Sequence, residues 1–164
     1  MFEIPTDLNP ALMGLAWLRG RWEGTGYREW PGEEKIAFGT QVDFTDNGSD
    51  YLHYISQSFL LDDDGHPAAP LALETGFWRA DAQAGVEVVM CGPDGYAEIL
   101  YGTLQPGRVD LTSDAVIRTQ DAPVAYTAGR RLYGLVEGKL MFSVDRATED
   151  VGLRAYTWAT LERA

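Results

Sequence analysis

The sequence is poor in the groups that usually carry chemistry. It has one cysteine, Cys91, and only two histidines, His53 and His66. A lone thiol excludes an internal disulfide. Two histidines and one thiol fall short of a histidine-based zinc site, so no metal centre is expected. Positive charge is also scarce. Lys and Arg number 13 against 25 Asp and Glu, a formal net charge of −12. With no basic stripe to offset it, such a surface repels phosphate backbones, which argues against nucleic acid and against an anionic membrane as partners. The longest apolar stretch, around Ala11–Leu18, is far short of the roughly 20 residues a spanning helix needs. Met1-Phe2-Glu3-Ile4-Pro5 lacks the basic start and apolar run of a signal peptide. No nucleophile elbow and no phosphate-cradling Gly-x-x-x-x-Gly-Lys occur. The expectation is a soluble, cytoplasmic protein, and 164 residues suit one domain, 1–164.

What is abundant points to strands. There are 18 glycines, five Trp, eight Tyr and six Phe. Aromatic residues suit strands and glycines suit turns and bulges. One segment has helical spacing: Asp7-Leu8-Asn9-Pro10 offers a cap and an early proline, Leu12, Leu15, Ala16 and Leu18 recur, and Gly20 closes it. Strands are then expected at Arg21–Trp30, Lys35–Thr45, Tyr51–Leu61, Leu71–Arg79, Val86–Cys91, Tyr96–Leu104, Val109–Ser113, Val124–Leu135, Leu140–Arg146 and Leu153–Glu162, with a further short one at Ala115–Thr119. Turn signals such as Pro31-Gly32, Asn47-Gly48 and Asp94-Gly95 separate them. No helices intervene, so a parallel sheet is disfavoured. A meander of this size avoids open edges by closing on itself. The fold class is therefore all-β: a ten-stranded antiparallel up-and-down β-barrel with a short N-terminal helix at one mouth. A barrel of that size is filled by side chains or holds a small ligand.

Several motifs reduce to structure. Ser56 and Ser58, near His53, are polar strand positions. Asp62-Asp63-Asp64-Gly65 lacks the ligand spacing and closing Glu of a calcium loop and is a solvated turn. Gly24-Thr25-Gly26 opens no helix, so it is no dinucleotide fingerprint. Cys91 is a small apolar strand residue.

Gly20-Arg21-Trp22-Glu23-Gly24-Thr25-Gly26 has the form Gly-x-Trp-x-Gly-x-Gly. This resembles the hallmark of the nitrobindin family and is similar to the first strand of lipocalins and fatty-acid-binding proteins. Glu74-Thr75-Gly76-Phe77-Trp78-Arg79 resembles the family's Glu-x-Gly-aromatic-Trp-Arg strand. Gly85–Val89, Gly95–Glu98 and Ala159-Thr160-Leu161-Glu162-Arg163 continue the likeness in order. Trp30-Pro31 stands where the family usually has Tyr-Pro. In the motif Trp22 reads as a barrel-bottom core residue, with Gly20, Gly24 and Gly26 allowing close packing.

The resemblance implies a ten-stranded barrel with a pocket at one end. In nitrobindins that pocket holds ferric heme b, reacts with nitric oxide and isomerises peroxynitrite to nitrate. The resemblance places the iron-binding histidine at Tyr156 of this sequence, a second pocket histidine at Ala72 and a pocket methionine at Arg146. Three pocket positions thus depart from the pattern, and no heme is expected through histidine. Heme b would require tyrosinate ligation by Tyr156, supported by a nearby cation such as Arg154, two residues away and on the same face of a regular strand. Arg146, if it points inward, needs a partner such as Glu74 or Asp145, or else turns to solvent.

Three alternatives follow. The leading one is a divergent small-molecule-binding protein that is no working peroxynitrite isomerase. A second holds a carboxylate between Arg154 and Tyr156, by the resemblance to fatty-acid-binding proteins, with an apolar tail in the cavity. A third is a barrel filled by Tyr156, Trp158 and Trp17, with a structural or interaction role. Related barrels often pair, so a homodimer is a candidate assembly.

Overall fold

A computed structural model describes residues 7–123 and 126–164. The expected absence of a leader at Met1–Pro5 and the first two residues of the expected strand Val124–Leu135 lie outside the described residues. The strands are β1 (Gly20–Arg28), β2 (Ile36–Thr45), β3 (Leu52–Leu61), β4 (Pro67–Ala80), β5 (Gly85–Cys91), β6 (Tyr96–Gln105), β7 (Arg108–Arg118), β8 (Tyr126–Val136), β9 (Lys139–Thr148) and β10 (Arg154–Arg163). Each pairs with its sequence neighbours, and β1 pairs antiparallel with β10 to close the barrel. The alternation that drives closure is plain in β2, where Phe38, Thr40, Val42 and Phe44 are buried and the residues between them are less so. Side chains two apart share a face, so one face of every strand feeds a common interior.

Most boundaries shift by one or two residues, and two differ by more. Ala115–Thr119 is not a separate strand. It continues Val109–Ser113 as β7, with Asp114 as an extra residue where the ladder to β6 skips from Ala115 to Ser113. Likewise β4 begins at Pro67, ahead of Leu71. Pro67 and Pro70 lie beside two register shifts against β3, where a residue without an N–H is tolerated.

The helix is a 3-10 helix, Pro10–Leu18. Asn9 caps it by accepting from the Ala11 N–H at 3.0 Å. Leu12, Leu15 and Leu18 are fully buried and share one core cluster with Trp22, Phe44 and Trp78, so the helix covers one mouth. Gly20 follows with φ of +117°, a conformation that favours glycine, and opens β1 instead of closing the helix. Trp22 is 1% exposed and donates its indole N–H to the Leu18 carbonyl at 2.7 Å. Arg163, at the end of β10, lies 4.2 Å over the Trp22 ring and donates to the Arg19 and Trp17 carbonyls at 2.6 and 3.1 Å. This end of the barrel is thereby fastened shut. Trp17 belongs to this closed end. Along the β1–β10 seam, a Cβ at Gly24 or Gly26 would run into the Thr160 or Trp158 carbonyl. The described residues include no helix long and apolar enough to cross a membrane.

Candidate functional site

The opposite end is open. A cavity of ≈ 360 Å³ runs in from it, within the range of about 300–1,000 Å³ usual for small-molecule sites. Its presence overturns the filled-barrel expectation. Trp17 lies at the closed end and Trp158 on the outer wall, so neither reaches the space they were expected to fill.

At the depth of the cavity sits a polar network that the sequence reading missed. Arg131 on β8 is 2% exposed and Glu98 on β6 is 5% exposed. Arg131 donates to Glu74 Oε1 at 2.7 Å and Oε2 at 3.0 Å, and to Glu98 Oε2 at 2.9 Å. Tyr54 donates its hydroxyl to Glu74 Oε1 at 2.7 Å, and Tyr126 donates to Glu98 Oε1. One guanidinium therefore holds two carboxylates, and each carboxylate also accepts from a tyrosine. Burial by itself would raise the Glu74 carboxyl, but the charge and hydrogen bonds of Arg131, with the Tyr54 hydroxyl, outweigh it and hold Glu74 below the ordinary carboxylate value. Burial, reinforced by the neighbouring carboxylates, pushes the Tyr54 and Tyr126 hydroxyls up, so both stay protonated and donating.

Nearer the opening, Arg146 on β9 points inward. Its guanidinium carbon lies 4.2 Å from the centre of the Tyr156 ring and 4.8 Å from that of Tyr126. Its Nε is buried without a hydrogen-bond partner. Neither Glu74 nor Asp145 forms the ion pair expected for it: Glu74 is taken by Arg131. Tyr156 also meets Trp30 edge-on at 5.8 Å and lies 6.0 Å from the Arg28 guanidinium.

Of the residues expected at the site, Tyr156, Arg146, Ala72 and Glu74 line this one cavity, whereas Arg154 and Trp158 do not. For Trp158 the reason is a β-bulge. On β10, Ala155 pairs with Asp145 and Thr157 with Val144, leaving Tyr156 as the extra residue. The regular alternation that would put residues 154, 156 and 158 on one face is broken. Tyr156 and Thr157 both turn inward. Trp158 faces outward, 6.2 Å from Tyr27 and beneath Lys35. Arg154 is exposed opposite Arg146, where a second inward cation would be repelled. The Arg154–Tyr156 carboxylate fork is therefore not assembled. Arg131 had a sequence signal, since in Gly129-x-Arg131-x-Tyr133 it shares the face of the buried Tyr133. Glu98 likewise alternates with the buried Tyr96 and Leu100. Among the described residues, no group of three His, Cys, Asp or Glu side chains could hold a metal ion.

A closed antiparallel barrel with a helix at one mouth and a polar-floored cavity at the other defines a single-opening β-barrel with an internal cavity. The chain belongs to the family described as the THAP4-like, heme-binding β-barrel domain, which matches residues 11–163. A ferric nitrobindin-like protein of Cutibacterium acnes is 52% identical over 99% of both chains. A peroxynitrite isomerase of Nocardioides sp. is 39% identical, over 99% of this chain and 98% of that one. The crystal structure of Rv2717c from M. tuberculosis superposes with a TM-score of 0.85 at 29% identity, covering 96% of this chain and 99% of the other.

The residues of this cavity do not fit a heme held by imidazole. Neither histidine lines it. The His53 ring shares a 2.8 Å hydrogen bond with Thr75 and stacks near Phe77, and His66 is exposed in the turn before β4. At the position where the resemblance places the iron ligand stands Tyr156, its ring covered by Arg146.

Proposed function

We propose that this chain is a nitrobindin-like barrel that binds a small molecule without a histidine-held heme, and that it is not a competent peroxynitrite isomerase. The observation that carries the reading is an open cavity of ≈ 360 Å³ whose lining contains no imidazole. Neutral imidazole offers iron a nitrogen lone pair without added charge. A phenol such as that of Tyr156 offers an oxygen only after losing its proton, which ordinarily requires a pH of about 10. The single cysteine, exposed and free, agrees with a reducing, cytoplasmic setting.

Hemin titration read by absorbance tests the proposal. Wild-type protein with native circular dichroism is expected to give no sharpened Soret band. A sharpened band that disappears in Tyr156→Phe overturns the reading in favour of a tyrosinate–heme protein. One that survives that substitution points to a donor elsewhere in the chain and overturns it equally.

A further inference from the structure

The least satisfied group in the cavity is Arg146. Its guanidinium lies against the rings of Tyr126 and Tyr156. Its Nε is buried without a partner, and none of its nitrogens donates to a described residue. The Tyr156 hydroxyl likewise has no hydrogen-bond partner among the described residues. The other cavity cations differ. Arg131 is consumed by Glu74 and Glu98, and Arg28 reaches Glu33 at 4.0 Å.

Ring faces attract a guanidinium but accept none of its in-plane N–H bonds. A polar group drawn away from water without a hydrogen bond is costly. Arg146 and Tyr156 therefore present a fork of N–H donors and a neighbouring hydroxyl, both facing the same cavity. The acceptor matching a guanidinium fork is a carboxylate, whose two oxygens take two parallel N–H bonds. The walls beyond it are apolar, formed by Phe38, Leu71, Met90, Phe142 and Val144. Three protein carboxylates share the cavity, Glu74, Glu98 and Asp94. Glu74 and Glu98 are both bonded to Arg131, and none of the three makes an ion pair with Arg146 among the described residues.

We infer that the cavity takes a carboxylate on a short apolar body, with the carboxylate on Arg146 and the Tyr156 hydroxyl and the body against the apolar wall. This rests on the small-ligand reading above and names its chemical class. It also moves the anion anchor from Arg154, which is exposed and does not line the cavity, to Arg146.

Octanoate and 1-octanol, equal in chain length, are titrated into the full chain and followed by calorimetry. Octanoate is expected to bind roughly tenfold or more tightly than octanol, the range of one charge-assisted hydrogen-bonded pair. Arg146→Gln is expected to bring octanoate down to the octanol level and leave octanol unchanged, and Tyr156→Phe to weaken octanoate by a smaller factor. Equal binding of both ligands by the wild type, or octanol alone, overturns the carboxylate assignment and leaves the small-ligand reading standing. Binding of neither overturns both. Undiminished octanoate affinity in folded Arg146→Gln overturns Arg146 as the anchor. The wild-type comparison decides the class even where the variant misfolds.

Discussion

Arg131 answers two buried carboxylates with one guanidinium, and removing it would leave both charges without a counter-ion. Stripping one partner from a buried pair typically costs about 3–5 kcal/mol. Arg131→Met is expected to lose stability on that order at neutral pH, measured by urea unfolding. The loss should shrink as pH falls, because protonated Glu74 no longer needs a cation. The wild type should behave in the opposite sense. The Glu74 carboxyl is held below its ordinary value of 4.5 in the folded state. Its contribution is therefore complete above that value and is lost as pH falls through the lowered one. A wild-type protein that gained stability on acidification through this range would contradict the network. At this scale the sequence was only partly legible. Arg146 and Tyr156 stood out because they occupy positions that a resemblance marks. Arg131 did not, because it follows Arg130, and only its alternation with Tyr133 distinguishes the two. The register decides: Arg130 lies outside, bonded to Asp110 at 2.6 and 3.0 Å.

The closing seam between β1 and β10 depends on two residues without side chains. A Cβ at Gly26 would collide with the Trp158 carbonyl and with Ala159 across the ladder. Such an obstacle is backbone, which cannot swing aside as a side chain can. Gly26→Ala is expected to cost about 1–3 kcal/mol, the usual penalty of overpacking. Gly152→Ala, with open space around it, should be close to neutral. Comparison of their thermal melts checks the pair, and similar melting temperatures for the two would show that the seam tolerates the bulk. The strands were legible because Gly-, Pro- and Asn-rich turns punctuate them. The extra residue in β10 was not. Ala155-Tyr156-Thr157 contains neither glycine nor proline, and the bulge is visible only as a slip in pairing with β9. That one slip moved an expected site residue, Trp158, out of the cavity.

For the molecule as a whole, closure was legible from the count of strands and the lack of helices between them. The cavity's polar floor was not, since its members come from four strands and meet only on closure. The formal charge of −12 spreads over one small compact body, and like charges oppose compaction. Raising salt from about 0.01 to 0.15 M shortens the screening length from about 30 to 8 Å and is expected to raise the melting temperature. A fall over the same range would mean that surface ion pairs such as Arg130–Asp110 outweigh the general repulsion.

Because the helix stoppers one mouth, the barrel is a blind alley with no through-flow. A competitor has no back entrance from which to push out an occupant and must wait for a vacancy. Exchange of one guest for another should then run at the guest's own escape rate, however concentrated the newcomer.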